Sequence, residues 1–247
     1  MDPEMNEFNE GLPDNEALAI IMLDASGTMV VIERKTGEPK HICAARGVQK
    51  VLDAMDDPQY ENAFISVVPF SASRGGVQIL SLLDCHKPYE AKTYSGNTNP
   101  EPWDGLSPQN RALGMGGGTP IGSALIWARE RAEQWVNAAP GQVQRRAVIY
   151  LMSDGMNNVG PDGRDQKVAI KAFNASCEKG EVRLATIGYF QSEESPDGTL
   201  KNPEEEAGRR LLRDLPLNSA AYFESDDFTA IVGYILSTLT LVMNQPV

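Results

Sequence analysis

The sequence predicts an α/β fold: a doubly wound, largely parallel central sheet with one antiparallel edge strand and helices on both faces. Three observations carry it. Residues 17–23 and 147–152 are uninterrupted apolar runs of strand length, which suits strands buried on both faces of a parallel sheet. Both runs stop at polar clusters holding an aspartate, Asp24 and Asp154. Between and beyond them, strand-like stretches alternate with stretches of helical apolar spacing, the rhythm of crossover connections.

Taken in order, residues 1–16 hold six acidic residues and no basic ones, with Pro3 and Pro13, and are expected to form a flexible acidic leader. Residues 17–247 are read as a single domain. After the 17–23 strand, a loop at 30–39 precedes a helix over 40–55, whose Ile42, Ala45, Val48, Val51, Leu52 and Met55 recur at amphipathic spacing. A β-branched and aromatic strand follows at 64–70, and after Gly75-Gly76 an antiparallel edge strand is expected at 77–82.

Residues 84–118 break every regular pattern with prolines and glycines and form a long irregular loop. Tyr89, Tyr94 and Trp103 there either make a contact surface or, in the case of Trp103, fold back to plug the loop. A helix is predicted over 119–139; the plain alternative to a functional role for Thr119 is that it caps this helix, with Pro120 at the first position. Ile121, Ala124, Leu125, Ala128, Ala132 and Trp135 form its apolar face, and Trp127 falls off it. Asp162 and Asp165 are read as solvated turn residues. A helix at 168–179, a strand at 182–189, a hydrophilic excursion at 191–206 and a helix at 207–215 come next. A short strand at 221–224 and a terminal helix at 226–242, capped by Asp226 or Ser225, complete the chain.

Composition narrows the function. The chain of 247 residues carries 34 acidic against 22 basic residues, a net charge of -12, and has no basic runs. Nucleic acid and anionic membranes are therefore poor partners. No apolar stretch is long enough to span a bilayer, and the amino terminus lacks the basic and apolar regions of a signal peptide. Cys43, Cys85 and Cys177 are few and widely spaced, which argues for a reducing compartment and a cytoplasmic location. His41, Cys43, Cys85 and His86 have no spacing that supports a soft-metal site.

The chemistry concentrates at strand ends. In Asp24-Ala25-Ser26-Gly27-Thr28 the oxygen-bearing residues alternate, so an extended loop can turn them to one side, with Gly27 allowing a tight turn. Gly116-Gly117-Gly118-Thr119-Pro120 precedes a helix, and Ser153-Asp154-Gly155 follows a strand. Taken singly, each motif could equally be a turn or a helix cap.

Together and in this order, the three motifs resemble the von Willebrand factor A domain and its metal-ion-dependent adhesion site, with Thr28 where that family usually has serine. The resemblance covers about residues 17–243. It implies that Ser26, Thr28 and Thr119 coordinate a divalent cation directly and that Asp24 and Asp154 bind it directly or through water. It also implies an open coordination position for a carboxylate of a partner protein. Oxygen ligands favour Mg²⁺, with Mn²⁺ or Ca²⁺ as alternatives. Met29, Trp103, Gly118 and Asn157 are expected on the partner-binding rim. The ending at 228–240 resembles stand-alone bacterial proteins of this family associated with tellurite resistance and stress. The function this implies is a metal-dependent protein-binding module, without catalytic residues.

Two other readings compete. The first loop also resembles the Asp-x-Asp-Gly-Thr motif of haloacid-dehalogenase-like phosphohydrolases, in which the first Asp is the nucleophile and the second the acid/base. Here Ser26 stands in place of the second, and no lysine motif is evident. The domain could also be a metal-independent scaffold, although all five expected oxygen positions are filled.

Overall fold

The computed structural model describes residues 15–33, 35–73, 76–79, 83–85, 117–155, 157–190 and 203–244. Residues 1–14 of the leader expected at 1–16, nearly all of the 84–118 loop, and Trp103 with it lie outside the described residues. The strands are β1 (Asn15–Asp24), β2 (Ala63–Ser73), β3 (Gly76–Ile79), β4 (Leu83–Cys85), β5 (Gln144–Ser153), β6 (Gly180–Gly188) and β7 (Tyr222–Glu224). The helices are α1 (Lys40–Ala54), α2 (Ile121–Asn137), α3 (Arg164–Ser176), α4 (Pro203–Asp214) and α5 (Phe228–Asn244). Among the described residues no helix is long and apolar enough to cross a membrane.

The sheet runs β3-β2-β1-β5-β6-β7, and β4 also pairs with β2. β2, β1, β5, β6 and β7 are mutually parallel, while β3 and β4 pair antiparallel with successive stretches of β2. The antiparallel edge strand expected at 77–82 is present over Gly76–Ile79, with residues 80–82 outside the described residues, and a second antiparallel segment lies at Leu83–Cys85.

Period-two alternation divides the core into two layers. Ala17, Ala19, Ile21 and Leu23 of β1 join α1 and α5 on one face, whereas Leu18, Ile20 and Met22 join α2, α3 and α4 on the other. Both faces are buried, which is why the strand reads as a continuous apolar run. Trp127, off the apolar stripe of its helix, is partly buried and packs against the second layer.

Several element ends differ from expectation. Asn15 and Glu16 open β1 rather than closing the leader. α2 begins at Ile121 with Pro120 in the cap position, so Thr119 stands before the helix and does not cap it. α3 starts at Arg164, four residues before the expected start: Gly163 takes a left-handed conformation (φ 82°) and Asp162 accepts a hydrogen bond from the Arg164 amide. Asp165 is therefore a first-turn helical residue, where its charge suits the helix dipole. The amide of Thr229 donates to the Asp227 carboxylate at 2.8 Å, so Asp227 caps α5, and Asp226 pairs instead with Lys35.

This connectivity places the site. The chain leaves β1 for β2 on one side, then returns through α2 to β5 on the other. β1 and β5 flank the point where strand order reverses, and open α/β sheets bind ligands outside the carboxyl ends of the strands at such a point. Asp24 is the last residue of β1, and Asp154 follows β5 directly.

Candidate metal centre

Three backbone contacts fix the first loop. The amide of Ala25 donates to Phe70 O at 2.9 Å, and that of Gly27 to Gly117 O at 3.0 Å. The Ser26 amide donates to Asp24 Oδ1 at 2.8 Å, closing the turn on the side chain that begins it. Residues Gly27–Val30 then wind into one 3-10 turn. Gly27 has no positive φ, and a Cβ there would meet only Gly117 backbone at 3.6 Å. The turn therefore does not draw on the conformational freedom of Gly27.

The polar side chains form one connected chain. Thr28 Oγ1 donates its single proton to Asp154 Oδ1 at 2.6 Å. Ser26 Oγ lies 3.0 Å from Thr28 Oγ1, and because the Thr28 proton is already given to Asp154, Ser26 is the donor. Both hydroxyls so point their protons along the chain toward a carboxylate, which leaves oxygen lone pairs for a cation.

Asp24 is fully buried. Its Oδ2 accepts from Ser153 Oγ at 2.5 Å, so both of its oxygens are engaged. Burial, reinforced by the Asp154 charge and opposed by the hydrogen bonds from Ser153 and Ser26, pushes its carboxyl up to about 7. Asp154 faces a formal cation: Lys40 Nζ hydrogen-bonds and ion-pairs with its Oδ2, both side chains being buried.

The second loop brings in Thr119. Gly118 and Ala72 exchange two backbone hydrogen bonds at 2.8 Å, tying the loop to the end of β2. Asn158 then clamps Thr119 from the third loop: its Oδ1 accepts from the Thr119 amide at 2.7 Å, and its own amide donates to Thr119 O at 3.2 Å. A Cβ on Gly118 would lie 2.6 Å from Asn158 Oδ1, so this approach needs a glycine. Thr119 is 3% exposed, yet its hydroxyl makes no hydrogen bond to any described residue. It faces Gly155, where a Cβ would lie 3.8 Å from Thr119 Oγ1.

Asp24, Ser26, Thr28, Thr119 and Asp154 thus converge from three loops at one sheet end. Their donor set, two carboxylates and three hydroxyls, fits a hard divalent cation. Among the described residues no group of three or more His, Cys, Asp and Glu could hold a metal, so a site built from the described residues would take other oxygen donors, such as these hydroxyls. Cys43 is buried, and its thiol is pushed up to about 11, chiefly by burial, which does not favour a thiolate ligand.

The expected rim is corrected in part. Met29 is 2% exposed and packs in the core layer of α1 and α5, because the 3-10 turn points it inward. Gly118 is held by Ala72, and Asn157 donates to Gly160 O at 3.2 Å while its buried Oδ1 has no partner among the described residues. The neighbouring Asn158 carries the loop contact instead. Asn158 and Lys40 are the site residues that motif reading omits, while Ser153, quoted with the third motif, gains a role as donor to Asp24. One signal in the sequence pointed to Lys40: a lysine opening a helix sits at the wrong end of the dipole and needs an acidic neighbour.

No protein-family model matches the sequence, and no curated protein matches it by sequence. Solved structures do match over nearly the whole chain. A von Willebrand factor type A structure from Catenulispora acidiphila aligns over 93% of this chain and 43% of its own, with 16% identity and a TM-score of 0.52. The manganese-loaded TRAP protein of Plasmodium vivax aligns over 93% of this chain and 75% of its own, with 14% identity and a TM-score of 0.54. Proximal thread matrix protein 1 from the mussel byssus, solved with a zinc-occupied metal-ion-dependent adhesion motif, covers 94% of this chain at 17% identity and a TM-score of 0.50. This chain spans 48% of that mussel structure. The protein therefore has the fold of the von Willebrand factor A domain.

Proposed function

We propose that this protein is a metal-dependent protein-binding module in which Ser26, Thr28 and Thr119, backed by Asp24 and Asp154, hold one divalent cation that takes an Asp or Glu side chain from a partner. The observation that carries this reading is the hydroxyl chain from Ser26 through Thr28 to Asp154, set beside Thr119 at the switch point of the sheet, whose hydroxyl bonds to no other described residue. Support also comes from structures of the same fold, one loaded with manganese and one with zinc. Mg²⁺ is our choice of ion, since weakly basic hydroxyl oxygens and carboxylates suit a hard cation.

When bound, the cation would act as a Lewis acid toward an incoming carboxylate. The chain's own residues orient it: Asp24 draws the Ser26 amide inward, Asn158 sets Thr119, and Asp154 fixes the proton direction of Thr28. Val31 and Ile32, 51% and 52% exposed, lie three and four residues beyond Thr28 and offer an apolar shelf to whatever surrounds the carboxylate. A partner presenting an acidic residue flanked by apolar ones fits this surface. A cytoplasmic location and a role in a bacterial stress assembly are part of the proposal, resting on the scarce cysteines and on the resemblance of residues 228–240.

Binding fits these residues better than phosphohydrolase chemistry. A nucleophilic Asp24 would need a free oxygen at the surface, but it is wholly buried with both oxygens accepting hydrogen bonds. The test is an array of Asp- and Glu-bearing peptides probed with Mg²⁺ or with chelator. Metal-dependent capture that disappears in folded Asp24→Ala and Thr119→Ala is expected; capture unchanged in both variants would sink the proposal.

A further inference from the structure

Lys40 is the first residue of α1, where the exposed amides of a helix carry partial positive charge and disfavour a cation. It is nonetheless buried, and a buried ammonium has to be paired. The 30–39 loop brings it there. Ile32 and Pro39 form an antiparallel bridge, Gly37 turns the chain at φ 71°, and the Lys40 amide donates to Val31 O at 3.0 Å. The loop thus folds back beside the Thr28 turn. Nζ meets Asp154 Oδ2 and lies 5.7 Å from the centre of the Tyr189 ring, itself packed 4.3 Å from Phe228 of α5. Asp154 is divided: Oδ1 serves Thr28, and Oδ2 serves Lys40.

Counting formal charges shows what this does. With both carboxylates ionised, as in the metal-bound state, Asp24, Asp154 and Lys40 sum to -1. A divalent cation takes the cluster to +1, and a partner carboxylate brings it to zero. Without Lys40 the metal alone would reach zero, and an incoming carboxylate would leave a buried surplus of negative charge. In a low-dielectric site such imbalance is costly. Building on the metal-site reading above, we propose that Lys40 makes metal capture conditional on an acidic ligand: it opposes the ion alone and favours the ion together with a carboxylate. It acts as a specificity-determining residue through Asp154.

The test is titration of metal-stripped protein with Mn²⁺, read by the spin-resonance signal of the free ion, in chloride and in acetate at equal ionic strength. Wild type, Lys40→Met and Lys40→Arg are compared. Lys40→Met is expected to bind Mn²⁺ in chloride at least tenfold more tightly than wild type, about 1.4 kcal/mol. Acetate should tighten binding in wild type and Lys40→Arg and fail to do so in Lys40→Met. Equal or weaker Mn²⁺ binding by Lys40→Met in chloride, or the same tightening by acetate in Lys40→Met as in wild type, overturns the proposal. If Lys40→Met folds only with metal present, chelator competition from the loaded state gives the same ranking. Absence of Mn²⁺ binding in wild type and Lys40→Met alike, in both salts, overturns the metal-site reading itself and this inference with it.

Discussion

The ends of β1 and β5 look alike in sequence, each a buried apolar strand giving way to an aspartate, but the two carboxylates live in opposite surroundings. Leu23 pairs with Met152, so Asp24 comes level with Ser153 and Asp154 lies one residue further out. Among the described residues Asp24 accepts from neutral donors alone, the Ser26 amide and the Ser153 hydroxyl. Asp154 is met by the Lys40 ammonium as well as the Thr28 hydroxyl. Burial among neutral donors disfavours a charge, whereas a buried ammonium needs its counter-ion beside it. One residue of register therefore separates a carboxylate that anchors the loop from one that organises the charge of the site.

The sharpest way to break this contrast is to neutralise each carboxylate in turn. Asp154→Asn would leave the Lys40 ammonium buried without its counter-ion, and should cost about 3–5 kcal/mol in urea unfolding of metal-free protein. Asp24→Asn keeps an acceptor for Ser26 or Ser153 and removes a charge the site disfavours. It should leave metal-free stability unchanged or raised at pH 8 while abolishing metal binding. Equal losses in the two variants would contradict the distinction.

A pH series sharpens the same comparison. Because the folded-state pKa of Asp24, about 7, lies above its ordinary 3.8, the folded protein holds a proton that the unfolded chain releases. That stability is fully present below about pH 4 and is lost as pH rises through about 7. Bound metal replaces the proton, so the rise in Tm on adding Mg²⁺ should be larger at pH 8 than at pH 5.5. In Asp24→Asn the Asp24 part of this dependence should vanish, which thermal unfolding with and without chelator checks.

Smaller effects follow at the second and third loops. Asn158→Ala removes the acceptor of the buried Thr119 amide and should cost about 1–3 kcal/mol, with weaker metal binding in titration. Gly27→Ala should change stability by less than about 0.5 kcal/mol, since its φ is ordinary and its added Cβ meets only van der Waals contacts.

Much of the fold was legible because burial on both faces of a parallel sheet leaves an unmistakable apolar run, as in β1. The start of α3 was not legible, because its first turns invert the usual pattern. Gln166 is buried and accepts from Arg129 Nε at 2.8 Å, while Val168 is 67% exposed. A polar residue paired across helices carries no apolar signal. The oxygen-bearing residues of the candidate site could be named because their spacing within each motif is local. Lys40 and Asn158 were missed because each acts on a residue far along the chain, Asp154 and Thr119, through contacts that only the folded loops create. Met29 misled for a local reason: the 3-10 turn rotates it from the rim into the core.

The central claim is that these three loops hold one divalent cation. Calorimetric titration of metal-stripped protein with Mg²⁺ and Mn²⁺ at pH 8, in the presence of acetate, tests it directly. Saturable binding at one site in wild type, absent from Asp24→Ala and Thr119→Ala of unchanged circular dichroism, is the predicted result. No saturable binding of either ion by wild type, or undiminished binding by both variants, would contradict it.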